Sequence, residues 1–195
     1  MKKYSLFYVL MVTAISLLAM CGVSCNSHSK EIEKMTNDLL NGPISSQGEE
    51  GSWVMEYEYD FLDDIKLGCR EHLRLYKNGK FKELTEYYYS GQLMATCEFT
   101  GEWSVKYDND YGTFFFDQDY EDDMIIKNIN FQDDWFKKFD TDLRLTRNGD
   151  VNTYNDYDEN TVFGNEIIDC SPNILLLKDL ANDETYRYEP DVKYL

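Results

Sequence analysis

The chain has 195 residues and carries 37 acidic against 19 basic side chains, a formal net charge of −18. Such a field repels nucleic acid and anionic membrane surfaces and favours cationic partners or divalent ions. The 16 Tyr, 11 Phe and 3 Trp beside only 3 Pro suit pleated sheets, where flat rings pack across strands. At the N-terminus Lys2 and Lys3 precede an apolar run from Leu6 to Met20, and small residues follow in Gly22-Val23-Ser24-Cys25. This is the layout of an export signal. Its apolar core of about 15 residues is short of the ~20 needed to cross a ~30 Å hydrocarbon layer. No charge intervenes between Lys3 and Lys30, so a cleaved signal that leaves no lipid anchor and an uncleaved anchor are both alternatives.

The end of this run resembles the lipobox of bacterial lipoproteins, in which a cysteine is lipidated and becomes the first residue of the mature chain. Val23 and Ser24 match the pattern before Cys25, with Gly22 where Leu is usual. The competing frame Leu18-Ala19-Met20-Cys21 has the Leu but sets bulky Met20 beside the cleaved bond, which favours Cys25 as the lipidated residue. The resemblance implies a signal peptide over 1–24, membrane attachment through an N-terminal lipid such as palmitate, and residence in the cell envelope. Two or three acyl chains, at ~0.8 kcal/mol per buried CH₂, anchor a protein stably.

Residues 25–50 read as a tether containing a short helix. Ile32, Met35, Leu39 and Leu40 recur at helical spacing over His28–Leu40, and Asn41-Gly42-Pro43 is a stop signal. The globular domain is expected over 51–195, long enough for one domain with a real core.

From Ser52 the apolar period becomes two. Trp53, Met55, Tyr57 and Tyr59 share one face of a half-buried strand, and Glu56 and Glu58 take the other. Asn78-Gly79 and, more weakly, Ser90-Gly91 are hairpin turn signals. They predict a meander of strands near Arg70–Lys77, Phe81–Tyr89 and Gln92–Phe99. Gly101-Glu102-Trp103 begins the next strand, Thr113–Gln118 follows a turn, and Asp123–Ile129 is one more. Leu73-Arg74-Leu75-Tyr76-Lys77-Asn78-Gly79 is echoed by Leu143-Arg144-Leu145-Thr146-Arg147-Asn148-Gly149. The echo suggests two similar half-barrels joined near Asn130–Phe139 by a loop or one helical turn; chance convergence of two hairpins is the alternative. The expected fold is all-β: a small antiparallel up-and-down barrel, or a two-sheet sandwich, of about eight to ten strands.

Taken together, Gly51-Ser52-Trp53, Leu73-x-Leu75 with Asn78-Gly79-x-Phe81, and Gly101-Glu102-Trp103 resemble the lipocalin-like domain of bacterial lipoproteins over about Gly51–Ile129. That resemblance implies a small barrel closed at one end by the first Trp. The Thr-Asp-Tyr turn of animal lipocalins has no counterpart here.

Little in the chain suggests catalysis. His28 falls in the tether, and His72, beside Glu71 in a predicted strand, reads as a surface or edge residue rather than a base. No catalytic residue, metal site or cofactor is assigned. Asp108-x-Asp110-x-Gly112 alternates oxygen ligands, but Asp119 occupies the place of the closing bidentate Glu, so the run reads as turn chemistry. Cys69, Cys97 and Cys170 permit one disulfide with a spare thiol, or three free thiols. Two functions remain. One is a non-catalytic, lipid-anchored module that binds a small ligand in or at the end of the barrel, with Trp53, Tyr57, Phe81 and Trp103 as its candidate wall. The other is an inhibitor or immunity factor that engages a basic protein through its acidic surface, where charge complementarity speeds association.

Overall fold

The computed structural model describes residues 28–40, 50–62, 65–121, 124–147, 164–181 and 183–191, with backbone only for 145–147. The expected signal segment over 1–24, Cys25 and Asn148-Gly149 lie outside them. The described chain runs α1 (Ser29–Leu40), β1 (Glu50–Leu62), β2 (Ile65–Tyr76), β3 (Lys80–Tyr89), β4 (Gln92–Asp108), β5 (Thr113–Tyr120), β6 (Ile125–Asn128), α2 (Asp133–Arg147), β7 (Asn165–Ser171), β8 (Ile174–Asp179) and β9 (Glu184–Pro190). Every strand pairing is antiparallel. Eight strands close a barrel in the order β1-β2-β3-β4-β5-β7-β8-β9, and β9 returns to β1. The ninth, β6, lies beside the first half of β4 at Ala95–Glu98, where β5 does not reach. The sheet therefore closes as a barrel and does not split into a sandwich. Closure leaves the barrel proper without an edge strand.

Local chemistry explains the hairpins. Ser90 and Gly91 both have positive φ, 50° and 79°, as a two-residue primed turn between Tyr89 and Gln92 requires. At the β2–β3 turn only Gly79 takes positive φ, while Asn78 Oδ1 accepts the Lys80 amide at 3.1 Å. Asp108 Oδ1 accepts the amides of Asp110 and Tyr111 at 2.8 and 3.2 Å, which shapes the β4–β5 turn. The segment expected to begin a new strand at Gly101 continues β4, which runs for 17 residues.

The two Gly-x-Trp segments share one logic. Trp53 Nε1–H donates to the Leu39 carbonyl at 3.1 Å, and Trp103 Nε1–H donates to the Tyr76 carbonyl at 3.0 Å. The glycine two residues earlier admits a close backbone approach in each case. A Cβ on Gly51 would sit 1.9 Å from the Leu39 carbonyl oxygen, and one on Gly101 would sit 2.1 Å from that of Asp119. Through Leu39, Leu40, Ile32 and Met35, α1 plugs this end of the barrel over Trp53, Leu73, Leu75, Phe81, Trp103 and Phe116. His28 stacks on Tyr107 with ring centroids 3.7 Å apart. The helix is thus docked on the barrel.

The far end holds a second apolar cluster, and here the sequence reading is corrected. Asp133–Phe139 of the stretch expected as a loop or one helical turn, the next three residues, and the first five residues of the supposed second hairpin together form the 15-residue helix α2. The duplication therefore fails at its central motif. Phe136, Phe139 and Leu143 fall on one helical face, and Asp133 and Asp134 suit the positive end of the helix dipole. The rings of Tyr59, Phe61, Tyr87 and Phe131 each lie within 6.3 Å of Phe139, centroid to centroid. Leu67, Cys69, Met94, Ala95, Cys97 and Phe99 complete its buried part. Neither described helix is long and apolar enough to cross a membrane.

Candidate functional site

Strand parity turns the odd residues of β1, β2 and β3 into the barrel. Along β2 the inward row is Leu67, Cys69, Glu71, Leu73, Leu75; along β3 it is Phe81, Glu83, Thr85, Tyr87. A glutamate interrupts each apolar row. Glu71 is 5 % exposed and Glu83 is 2 % exposed. Glu71 pairs across the ladder with Thr85, and Leu73 with Glu83, so the two acids are diagonal neighbours, about 7–8 Å apart at the backbone.

Both glutamates line a cavity of about 460 Å³ between the two apolar clusters. Ladder lengths explain its position. β1 pairs with β9 only at Trp53–Pro190 and Val54–Glu189, and β5 pairs with β7 only at Phe115–Glu166 and Phe116–Asn165. Beyond those points the walls separate. The cavity is bounded there by Met55 and Tyr57 of β1, Gln118 and Tyr120 of β5, and the β8–β9 hairpin.

Five carboxylates line the space (Glu58, Glu71, Glu83, Asp179, Glu184), as do four tyrosines (Tyr57, Tyr120, Tyr186, Tyr188). No Lys, Arg or His is among the described lining residues. Three tyrosines are committed as donors. Tyr188 donates to Glu71 Oε1 at 2.6 Å, Tyr120 to Glu83 Oε2 at 2.9 Å and Tyr186 to Glu184 Oε2 at 3.1 Å. Burial, then the charges of Glu71 and Glu83, raises the Tyr188 phenol well above its ordinary 10. Burial, then the bond to Glu184, pushes Tyr186 up to about 12. These phenols hold their protons and leave the carboxylates as acceptors. Glu58 is already paired with Lys66 at 3.1 Å, so it adds less to the field.

Of the four candidate wall residues, Tyr57 lines this cavity. Trp53, Phe81 and Trp103 sit in the packed cluster beneath α1. Nothing in their parity separates them from Tyr57; their depth along the barrel does. The acids were legible in the sequence as charges inside apolar period-two rows, a signal the aromatic residues overshadowed.

A second cluster of titratable groups lies outside the barrel. His72 points outward from β2 yet is buried, in contrast to the surface or edge position its sequence context suggested. The chain leaving β9 covers it: the Asp191 amide donates to the Ser52 carbonyl at 3.0 Å, and Asp191 Oδ2 lies 2.5 Å from His72 Nδ1. Glu86 Oε2 lies 3.3 Å from Nε2 and accepts the Tyr88 hydroxyl at 2.7 Å. Both nitrogens thus face carboxylates, and the cluster fastens the last strand to β2 and β3. Cys69, Cys97 and Cys170 form no disulfide among the described residues. Among the described residues no three His, Cys, Asp or Glu side chains converge as a metal-binding group.

Comparison with known proteins adds no relative: no protein-family model matches the chain, and no curated protein matches it.

Proposed function

We propose that the chain is an exported, lipid-anchored, non-catalytic binding protein that takes a small ligand into the side cavity of its barrel. The observation that carries this reading is the cavity itself, about 460 Å³ held between two packed clusters by strands whose ladders stop short. Its size suits a small organic molecule, and aromatic walls with a few convergent polar groups are what such sites use. A barrel packed solid from end to end would have favoured the acidic surface as a dock for a basic protein. The anchor rests on the lipobox resemblance at Cys25 and the likeness to lipocalin-like lipoproteins.

Two measurements test the proposal. The full chain, purified in detergent, is screened by thermal shift against small organic cations, anions and neutral molecules. At least one class is expected to raise the melting temperature, and Tyr57→Ala to shrink that shift. A flat response to every class removes the binding role. Labelled palmitate is expected in the wild-type protein and in Cys21→Ser but not in Cys25→Ser; the reverse pattern moves the lipid to Cys21.

A further inference from the structure

Beyond the small-ligand reading, we propose that the open edge of β1 takes up an extended basic segment of another protein as an added antiparallel strand. Against β2, β1 is paired without a gap from Glu50 to Asp60. Its other edge meets β9 only at Trp53 and Val54. Among the described residues no strand pairs with that edge from Met55 to Leu62, eight residues or about 27 Å of extended chain. The barrel is closed near α1, and further along β1 has the character of an edge strand.

The direction of the backbone groups follows from the ladder. The Ser52 carbonyl accepts the Asp191 amide on the β9 side, and in an antiparallel ladder every second residue turns its N–H and C=O to the same edge. Glu56, Glu58 and Asp60 therefore present theirs to the open side, a row of donors and acceptors that templates another chain. Their side chains are exposed on the outer face, whereas Met55, Tyr57 and Tyr59 between them are half-buried and face the interior. An incoming strand meets acids on one face and apolar surface on the other.

Charge decides the occupant. The three acids share two bases: Arg70 lies 3.5 Å from Glu56, and Lys66 lies 3.1 and 3.5 Å from Glu58 and Asp60. Exposed pairs of this kind contribute only about 0–1 kcal/mol, so they hold the acids weakly. A second copy of the chain pairing antiparallel about Glu58 would set acid against acid at all three positions, which is destabilising. A segment with Lys or Arg at alternate positions sets opposite charges there instead. Its intervening apolar side chains extend the wall to which Met55 and Tyr57 belong. Main-chain bonds supply affinity in such strand addition, and the alternating side chains supply selection.

The test uses the full chain in detergent and four capped eight-residue peptides. These are alternating Lys-Val, the same residues in block order, alternating Glu-Val, and the Lys-Val peptide methylated on the backbone nitrogens of its lysines. In isothermal titration the plain Lys-Val peptide is expected to bind at least about tenfold more tightly than each of the others. Hydrogen exchange is expected to show its protection at Glu56, Glu58 and Asp60. Glu58→Pro removes one donor from the open edge, where a sheet tolerates proline, and is expected to fold and to lose about tenfold or more in affinity. Glu58→Lys leaves the backbone untouched, and is expected to weaken the Lys-Val peptide and narrow its lead over Glu-Val. Should the proline variant fail to fold, this variant and the methylated peptide decide. Equal binding in block order would reduce the contact to net charge and overturn the inference. No binding, undiminished binding of the methylated peptide, protection away from 56–60, or wild-type affinity in folded Glu58→Pro would each overturn it as well. The thermal-shift screen reads the cavity separately, so either conclusion can fall while the other stands.

Discussion

Tyr188 donates its hydroxyl to Glu71 at 2.6 Å, joining β9 to β2 across the intervening β1. The ladder between β1 and β9 has two residue pairs, so this interior bond helps close the barrel where backbone pairing is thinnest. Removing the donor leaves a buried carboxylate with one fewer partner, a loss of about 1–3 kcal/mol. Tyr188→Phe is therefore expected to lower the unfolding free energy by that amount in urea titration, and to increase hydrogen exchange along β9 first.

The same phenols set an alkaline limit. Tyr188 and Tyr186 have folded pKa values raised above 10, the latter to about 12. The folded state therefore holds these protons more tightly than the unfolded chain does. The resulting stability is complete below pH 10 and is lost as pH rises from there toward the folded values. Urea midpoints are expected to fall between pH 10 and 12, with a shallower fall in Tyr186→Phe. An identical slope in the variant would contradict the assignment.

Gly51 and Gly68 provide a matched pair on neighbouring strands. A methyl at Gly51 would collide with the Leu39 carbonyl at 1.9 Å, backbone that cannot give way unless α1 moves. Gly51→Ala is expected to cost about 1–3 kcal/mol, the range for overpacking, and to loosen residues 29–40 in hydrogen exchange. Nothing lies within 4 Å of a Cβ on Gly68, so Gly68→Ala is expected to be neutral or to stabilise by about 0.5–1 kcal/mol.

Phe139 is fully buried and meets Tyr59, Phe61, Tyr87 and Phe131. Phe139→Ala is expected to cost about 3–5 kcal/mol. Near-UV circular dichroism, reporting on those rings, should fall with it. A variant with wild-type stability would mean that α2 does not seal this end.

Burial raises the thiols of Cys69 and Cys170 to about 12 from their ordinary 9. The thiolate is the reactive form, so alkylation near pH 8 is expected to be roughly a thousandfold slower than for an ordinary cysteine. Mass spectrometry after iodoacetamide treatment should find both unmodified in the native protein and both modified in urea. Rapid native labelling of either would contradict the burial.

Much of the architecture was legible because short-range chemistry wrote it. Asn78-Gly79 and Ser90-Gly91 set the hairpins, and the period-two rows set which residues face inward. The helical spacing of Ile32, Met35 and Leu39 announced α1. Helix α2 was not legible, since Leu143-Arg144-Leu145 alternates like a strand when read alone. The wider spacing of Phe136, Phe139 and Leu143, and the open barrel end they cover, decided its form.

The candidate site divides along the same line. Parity placed Trp53, Tyr57, Phe81 and Trp103 inside, and the same rule, not applied to the acids, turns Glu71 and Glu83 inward too, because side-chain direction is a property of each strand. Parity carries no information about depth. Which inward residues became packed core and which came to face a cavity depended on α1 filling one end, α2 sealing the other, and the ladders of β7 and β9 stopping short between them. Some of the contacts that close the barrel join residues more than a hundred positions apart, as Tyr188 joins Glu71, and no local pattern encodes them.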